Sequence, residues 1–208
     1  ALPAGSAPVQ SKVCGDRLYL LQEWGGVLIF DLSDPVHPAV LGQFSPSESW
    51  TAGFDVSGYY AYINLSGVLQ VVDMSDAASP QSIGSYQPWG WPGGVAARGN
   101  EVFFGDLCRG LVVLRSGVPY FDLPTTHWAY AEIIACHEAG IVGGYPDGAY
   151  HGDDPVRRAD MAVFISRALA GGDEHVPPGP VTASFLDVSA GWWAYKYVEY
   201  AHAQGVVS

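Results

Sequence analysis

An internal repeat constrains the fold of this 208-residue chain more than any other feature of its sequence. The segment Gly25–Phe44 matches the segment Gly67–Tyr86, and both consist of short apolar runs between Gly, Asp, Ser and Pro residues. The positions that recur at a constant offset are Asp31, Asp34, Pro38 and Gly42, repeated as Asp73, Asp76, Pro80 and Gly84. β-Branched and aromatic runs between such turn residues are typical of β-strands. The first part of the chain is therefore predicted to be a repeated β-structure.

Further strand-like runs accompany each repeat. The aligned runs are residues 17–21, 59–63 and 101–105, followed by a third partial copy of the repeat at 110–117. A period of about 42 residues with several short strands per unit is typical of a β-propeller blade. Asp31 and Asp73 each follow a strand, and we interpret them as closing Asx-type turns with Ser33 and Ser75. Metal ligation by these two carboxylates is the alternative.

The pattern V-x-D-x-SDP, followed by a tyrosine-rich strand, resembles the LVIVD repeat found in predicted propellers of secreted bacterial and archaeal proteins. The resemblance implies all-β, propeller-like repeats over residues 1–116. Propellers need roughly four to eight blades to close, whereas this sequence holds two full spacings with fragments on either side. Because open sheet edges invite aggregation, we expect either a piece of a longer polypeptide or sheet edges that partner chains cover.

The region downstream of the repeats is predicted to form two α-helices joined by a Gly/Pro/Asp loop. The first helix is predicted over residues 127–139, with Gly140 as its left-handed cap. The second is predicted to begin with Asp154 as N-cap and Pro155 at the first helical position, and to end at Gly171. The predicted apolar faces are Trp128, Ala131, Ile134 and Ala135 in the first helix and Met161, Phe164, Ile165, Ala168 and Leu169 in the second.

This helical region resembles the S-layer homology (SLH) module. The motifs that carry the resemblance are Phe121-Asp122-Leu123, His127-Trp128-Ala129-Tyr130, Gly140-Ile141, Gly144-Tyr145-Pro146-Asp147-Gly148, Arg157-Arg158-Ala159-Asp160 and Arg167-Ala168-Leu169. A second copy begins downstream, where Trp128 and Gly140 recur at one constant offset as Trp193 and Gly205. The expected fold is thus multidomain, with β-propeller-like repeats followed by helix-loop-helix SLH modules.

The expected domain boundaries follow from the two resemblances. The repeats occupy residues 1–116, and one SLH module occupies 117–171, its family pattern starting near residue 119. Residues 184–208 are the truncated start of a second module. Between the modules, residues 172–183 are rich in proline and polar residues, so we expect an extended and mobile linker.

The SLH resemblance implies a groove between modules that binds an anionic, often pyruvylated, cell-wall polysaccharide. Arg158 is the principal candidate, since a guanidinium pairs bidentately with a carboxylate. The alternative for Arg158 is a salt bridge to Asp160, Asp154 or Asp122. Arg157 stands where the family usually has Thr or Ser, which removes a capping hydroxyl and adds a charge. The other candidates for polysaccharide binding are Asp122, Trp128, Tyr145, Asp147 and Gly148.

Some of these candidates have structural explanations as well. Trp128 can stack on a sugar ring through its apolar face, or it can be a core residue that anchors the helix pair. Asp147 and Gly148 match positions that the family uses near its grooves, yet a turn explains them fully, and we favour the turn.

Composition and missing motifs limit the function classes. A formal net charge of −12 argues against nucleic-acid binding, and no apolar run approaches the length of a transmembrane helix. No HExxH, GxSxG, P-loop or GxGxxG motif occurs, so we predict no metal site, no cofactor and no enzymatic activity. Cys14, Cys108 and Cys136 leave at least one free thiol, and a disulfide between Cys14 and Cys108 stays open.

These features together predict a secreted structural protein of the cell surface, at the cell wall or S-layer. Its SLH modules would anchor it non-covalently to wall polysaccharide, and its propeller-like region would bind or display something. One alternative is a surface hydrolase whose active site lies in further blades. Another is an accessory subunit of an extracellular assembly, in which other chains complete the propeller or an SLH trimer.

Overall fold

The computed structural model describes residues 7–46, 50–90 and 92–208, which form several antiparallel β-sheets and three α-helices. The strands are β1 (Pro8–Cys14), β2 (Arg17–Gln22), β3 (Gly26–Asp31), β4 (Ala39–Phe44), β5 (Thr51–Ser57), β6 (Tyr60–Leu65), β7 (Val68–Asp73), β8 (Gln81–Tyr86), β9 (Pro92–Arg98), β10 (Glu101–Asp106) and β11 (Gly110–Arg115). The helices are α1 (Tyr130–Glu138), α2 (Arg158–Ala170) and α3 (Tyr195–Ala203), with a 3-10 helix at Asp173–His175. Residues 1–6, which the sequence assigns to the repeats, lie outside the described part.

Each repeat forms its own sheet, in which consecutive strands pair as an antiparallel meander. Sheet A contains β1 to β4, sheet B contains β5 to β8, and sheet C contains β9 to β11. The Ser33 N–H donates to Asp31 Oδ1, and the Ser75 N–H donates to Asp73 Oδ1, each over 2.8 Å. The predicted Asx turns are confirmed.

The alignment of the second strands needs one correction. β2 and β10 begin at Arg17 and Glu101 as aligned, but β6 begins at Tyr60, one position after the aligned start at Tyr59. The third strands β3, β7 and β11 keep a constant spacing. The turn between β6 and β7 consists of residues 66–67 and is one residue shorter than the equivalent turns at 23–25 and 107–109. Because the sequence match rests on the third strands, this shorter turn places the start of β6 one position later.

The three sheets pack face to face in chain order. Tyr19, Val27 and Ile29 of sheet A pack against a core in sheet B that includes Phe54, Ala61 and Ile63. The opposite face of sheet B, with Tyr62 and Leu69, packs on Val102 and Phe104 of sheet C. Among the described strands the row of sheets stays open and closes into neither a barrel nor a ring.

A single carboxylate connects all three sheets along their first strands. Asp55 in β5 is buried. Its carboxylate forms a 2.8 Å ion pair with Lys12 in β1 and accepts a 2.9 Å hydrogen bond from the Ala97 N–H in β9. Beside it, the side-chain amide of Gln10 donates to the Phe54 carbonyl over 2.9 Å. Polar groups therefore hold β1, β5 and β9 side by side, while apolar faces pack behind them.

The chain after β11 returns to sheet B. The Tyr60 hydroxyl donates to the Leu123 carbonyl over 2.8 Å, and the Tyr59 N–H donates to the Phe121 carbonyl over 3.2 Å. The Thr125 hydroxyl donates to Asp73 Oδ2, the oxygen that the Asx turn leaves available. The start of the SLH-like sequence is thus bound to the repeat sheets.

The chain divides into two compact units. One comprises the residues up to Trp128 together with Pro146–Tyr150, and the other comprises Ala129–Tyr145 and His151–Ser208. The units therefore divide the chain at different places from the sequence boundary near residue 117, and the domain assignment by sequence stays a prediction.

The helix ends agree with the sequence better than the helix starts. Gly140 and Gly171 have φ values of 69° and 77°, as expected of left-handed caps. However, α1 begins at Tyr130, later than predicted, because the preceding residues form turns. Asp154 and Pro155 do not start α2. Its N-cap is Arg157, whose N–H donates to the N3 carboxylate of Asp160 over 2.9 Å.

The predicted apolar helix faces are only partly confirmed. Phe164 packs against the cluster that α2 and α3 share, but none of the predicted residues is among the buried ones. In α1 the buried residue is Ile133, and in α2 the buried residues are Ala162, Val163 and Ser166. The Ser166 hydroxyl donates to the Tyr197 carbonyl of α3 over 2.8 Å, and Val163 packs in the same cluster as Tyr197. The face that meets α3 is therefore shifted around the helix from the most apolar stripe of α2.

The linker expectation also needs correction. Instead of running as an extended chain, residues 172–183 include the 3-10 helix, and Val176 is buried against α2 and α3. The Tyr195 hydroxyl donates to the Pro180 carbonyl over 2.7 Å. The linker is therefore part of the second compact unit.

Candidate functional site

The candidate residues from the sequence fall in both compact units, so each group is described within its own unit. In the first unit, the Asp122 carboxylate accepts a 2.7 Å hydrogen bond from the Tyr150 N–H. Asp147 Oδ1 accepts from the Ala149 N–H over 3.0 Å, which is the Asx geometry of a turn. The structure thus brings together Asp122, Asp147 and Gly148 by holding residues 121–122 beside residues 147–150.

Backbone approach explains why this turn contains Gly148. Its φ is 86°, in the region that favours glycine, and a Cβ there would lie 3.2 Å from Asn100 Oδ1. The Phe121 N–H also donates to the Gly148 carbonyl over 3.4 Å. These contacts give Asp147 and Gly148 a turn-forming role in the first unit.

Trp128 is 89% exposed. The interpretation of this residue as a core anchor is therefore wrong. Its ring lies 5.7 Å from the His127 ring at a tilt of 34°. An indole in this setting presents apolar surface to solvent, which is the property that stacking on a sugar ring requires.

In the second unit, the two neighbouring arginines at the start of α2 differ. Arg157 Nε and Nη2 donate to the Asp160 carboxylate over 3.0 and 3.2 Å. The hydrogen bonds from Arg157 hold the pKa of the Asp160 carboxyl below its ordinary value, and Asp160 raises the pKa of Arg157. Arg158 is exposed, and within the described residues no hydrogen bond or ion pair involves its guanidinium.

Within the described residues of the second unit, the alternative salt bridges of Arg158 to Asp160 and Asp154 are not formed. Asp160 is engaged by Arg157. The alternative with Asp122, which lies in the first unit, stays a prediction. Arg157, which stands where the SLH family usually has Thr or Ser, thus neutralises the nearest carboxylate at the start of α2. As a result, the positively charged guanidinium of Arg158 remains accessible.

Tyr145 lies close to this helix start. It is exposed, and its ring meets the His151 ring edge-on at 4.8 Å. His151 has a φ of 55°, and its carbonyl accepts from the Asp154 N–H over 3.0 Å. The turn at His151 therefore sets the path of the chain between Tyr145 and α2.

Sequence reasoning missed an aromatic pair in the second SLH copy. Trp192 and Trp193 are exposed and meet edge-on at 5.7 Å. The Arg157 guanidinium lies 5.9 Å from the Trp193 ring centroid, within the range of a cation–π interaction. The SLH-like repeat contained the signal, because it aligns Trp193 with the candidate Trp128.

A second missed feature is a charged cluster on Asp173. Arg167 Nε and Lys196 Nζ donate to its carboxylate over 2.9 and 3.3 Å, and the Tyr197 hydroxyl donates as well. These donors, Tyr197 foremost, lower the pKa of Asp173 to about 2. The carboxylate thus stays ionised down to strongly acidic pH and joins the 3-10 helix to α2 and α3.

The cysteines and histidines form no further site in the described residues. Cys14, Cys108 and Cys136 all carry free thiols, so the disulfide left open by the sequence is absent between Cys14 and Cys108. No group of three or more His, Cys, Asp or Glu side chains is arranged to hold a metal ion in residues 7–46, 50–90 and 92–208. Within the same ranges, no helix has both the length and the apolar character needed to cross a membrane.

Comparison with known proteins gives two family matches. The model of the S-layer homology domain matches residues 119–162 and 184–208. The model of the LVIVD repeat matches residues 10–45 and 51–87. Both resemblances seen in the sequence are confirmed.

Curated relatives share the helical region's family. The Cellulosome-anchoring protein of Acetivibrio thermocellus is 28% identical over 142 residues, which is 62% of this chain and 32% of that protein. S-layer protein EA1 of Bacillus anthracis is 32% identical over 46% of this chain and 10% of its own length. Outer membrane protein SlpA of Thermus thermophilus is 36% identical over 30% of this chain and 7% of its own length. The chain thus spans about a third or less of the length of these relatives, whose names denote anchoring, S-layer or outer-membrane proteins.

Proposed function

We propose that this protein, which carries S-layer homology sequence after its LVIVD repeats and belongs at the cell surface, anchors itself non-covalently to an anionic cell-wall polysaccharide. The family match and the S-layer and anchoring relatives support a cell-surface anchoring protein. That the ligand is an anionic cell-wall polysaccharide is the step that this proposal adds. In this proposal the role is structural and non-enzymatic.

The difference between Arg157 and Arg158 carries the proposal. Arg157 is bound by Asp160, whereas Arg158 presents an exposed guanidinium without a partner in the described chain. A carboxylate on a sugar ketal can accept two parallel hydrogen bonds from such a fork. Since the chain has a formal net charge of −12, its overall field repels an anionic polymer, and binding must rest on local cations such as Arg158.

Aromatic surface supplies the second part of the ligand chemistry. Trp128 exposes most of its indole, and a pyranose ring can cover that apolar face without losing its hydroxyl hydration. Tyr145 is a further exposed ring. Asp122, Asp147 and Gly148 take part in the proposal as the groups that fix the turn, because their polar atoms are already hydrogen bonded.

The repeat sheets would form the displayed part of the protein. We propose that residues 1–116 form part of a β-propeller and that residues 117–171 and 184–208 are SLH modules, the second one partial. Trp24 in the β2–β3 hairpin and Trp89 in the β8–β9 loop are exposed. Both loops lie at the ends of the strands remote from the turns at Tyr59 and Asn100, to which the SLH-like segment binds. We therefore propose this end of the sheets as the displayed surface.

Co-sedimentation with purified wall sacculi tests the anchoring proposal. We expect the chain to pellet with intact sacculi and to stay in solution with sacculi stripped of their secondary polymer. Arg158→Ala should raise the Kd for sacculi, measured from the pelleted fraction over a range of sacculus concentrations, at least about tenfold, as expected for loss of a bidentate charged pair worth roughly 1.5–3 kcal/mol. Arg158→Lys should restore only part of the binding, because Lys keeps the charge without the fork.

Arg157→Ala is the matched control. It removes the same charge at the adjacent position, yet it removes an arginine that Asp160 already engages, so pelleting should change much less than in Arg158→Ala. Equal losses in both variants would indicate a general charge effect and contradict the specific role of Arg158. Pelleting that persists without the secondary polymer would contradict the polysaccharide as ligand.

A further inference from the structure

The β8–β9 loop and the β10–β11 turn are joined by one carboxylate. Asp106, at the end of β10, is only 3% exposed. Its Oδ2 accepts hydrogen bonds from the Trp89 and Gly90 N–H groups over 3.1 and 3.4 Å. Its Oδ1 accepts hydrogen bonds from the Cys108 and Arg109 N–H groups over 2.7 and 3.2 Å. Asp106 thus fixes the position of the loop relative to the turn.

This joint places the side chains of Trp89 and Arg109 together at the surface. Arg109 Cζ lies 4.3 Å from the centroid of the Trp89 ring, within the range of a cation–π interaction. Trp89 is 76% exposed, and Arg109 is exposed as well. Since Asp106 binds only backbone N–H groups of these two residues, their side chains are accessible to a ligand. A guanidinium stacked on an indole also keeps its in-plane N–H groups for an acceptor.

Most cations of this acidic chain are already engaged by the protein. The chain has nine Lys and Arg residues against a formal net charge of −12. Six of the nine have a carboxylate or carbonyl partner, namely Lys12, Arg17, Arg98, Arg157, Arg167 and Lys196. Among the described residues of its own compact unit, Arg109 has no such partner. An arginine that is held over an indole without an acid is suited to an anion from outside the chain.

Sheet A shows that the repeat does not require this arrangement. Gln22 and Asp106 occupy the same place, opposite Gly26 and Gly110 in the strand pairing. However, the Gln22 side chain accepts a 3.5 Å hydrogen bond from another strand of its own sheet, whereas Asp106 binds the preceding loop. Arg109 stands where sheet A has a glycine at the end of its turn. The joint and the stacked pair are therefore features of sheet C beyond what the repeated fold needs.

We propose that Trp89 and Arg109 form a binding site for a carboxylated sugar of an acidic glycan. The sugar carboxylate accepts two parallel hydrogen bonds from the Arg109 guanidinium. The apolar face of the same sugar packs on the part of the indole that Arg109 leaves uncovered, and Leu107, which is 82% exposed in the same turn, adds apolar surface.

An acidic sugar suits this pair of side chains because its carboxylate is attached directly to the ring. Anion and apolar face are then as close together as the guanidinium and the indole. The inference builds on the proposal that this end of the sheets is displayed, and it does not depend on wall anchoring through Arg158.

Titration of the whole chain with trigalacturonate, followed by NMR, tests the site. The indole N–H signal of Trp89 is identified as the one that Trp89→Phe removes. We expect this signal to shift saturably with trigalacturonate and to stay unchanged with the neutral trisaccharide maltotriose. The Kd from this titration should rise at least about tenfold in Arg109→Ala, as expected for loss of a bidentate charged pair. Arg109→Lys should recover only part of the affinity, because lysine lacks the planar fork.

Arg115→Ala is the matched control. Arg115 is an exposed arginine at the other end of β11, about 20 Å along the strand from Arg109. Removing it takes away the same charge from the same sheet, and the Kd at Trp89 should change less than about twofold because salt screens charges at this distance. Equal losses in Arg109→Ala and Arg115→Ala would indicate a general charge effect and overturn the site. Backbone amide spectra establish that each variant is folded.

The probes separate the glycan from other ligands. A Trp89 signal that does not move with trigalacturonate, or that moves equally with maltotriose, would overturn the proposal. Tighter binding of the acidic peptide triglutamate at this signal would assign the site to a protein segment instead of a glycan. Arg158→Ala should leave the Trp89 titration unchanged, whereas it weakens pelleting with sacculi. Failure of the Trp89 site and failure of wall anchoring are therefore distinguishable.

Discussion

Sheets A and B are two copies of one repeat, yet the same positions have different surroundings. Asp31 and Asp73 close identical turns, but only Asp73 is almost fully buried, at 4% exposure, and bound to Thr125. Gly42 and Gly84 are also equivalent. A Cβ at Gly42 would lie 1.9 Å from the Ala77 carbonyl oxygen, whereas a Cβ at Gly84 meets nothing within 4 Å. The repeat fixes the local conformation, and the neighbouring element decides how much each residue contributes to stability.

The largest expected effect concerns the two glycines. Gly42→Ala should destabilise the protein by about 3 kcal/mol, since a methyl group collides with backbone that cannot rotate away. Gly84→Ala should change the free energy of unfolding by less than about 0.5 kcal/mol. Urea unfolding of both variants measures the difference. Similar losses in the two variants would show that the repeat itself requires glycine and that the neighbouring sheet does not matter.

The two aspartates provide a smaller contrast. Asp73→Ala should cost about 2 kcal/mol, because the Thr125 hydroxyl and the Ser75 N–H both lose a partly or fully buried acceptor. Asp31→Ala removes only the hydrogen bond to Ser33 at an exposed turn and should cost about 1 kcal/mol or less. The urea midpoints of the two variants test which substitution destabilises the protein more. A larger loss for Asp31→Ala would reverse the comparison.

The smallest effect isolates the residue that makes the two repeats differ. Thr125→Val keeps the shape of the side chain but removes the hydroxyl, so it should cost about 1 kcal/mol. In the Asp73→Ala background the same substitution should cost almost nothing, as a double-mutant cycle would show. In the Asp31→Ala background its cost should be unchanged. Additive losses with Asp73→Ala would mean that the Thr125 hydroxyl stabilises the fold through another group.

Features set by a few adjacent residues could be read from the sequence. The Asx turns at Asp31 and Asp73, together with the left-handed ends at Gly140 and Gly171, depend on backbone conformation and on side chains within a few residues. The LVIVD and SLH matches extend this local reading to the order of elements along the chain. Neighbouring residues determine these features, so distant contacts are not needed to predict them.

Features that depend on which of several partners forms a contact could not be read in this way. The N-cap of α2 is Arg157 and not the predicted Asp154, because Asp160 binds the Arg157 N–H. The buried face of α2 follows Ser166 and Val163, which meet α3 from the second SLH copy. For Arg158, sequence named the residue, but only the pairing of Arg157 with Asp160 explains why its guanidinium is accessible.

The interleaving of the two compact units limits how this chain can be recombined. The polypeptide passes from one unit to the other after Trp128, after Tyr145 and again after Tyr150. A gene fusion that joined a foreign partner at residue 117 would therefore remove residues 118–128 and 146–150 from the unit that contains the sheets. The sequence families are written one after the other, but the folded parts are not exchangeable cassettes.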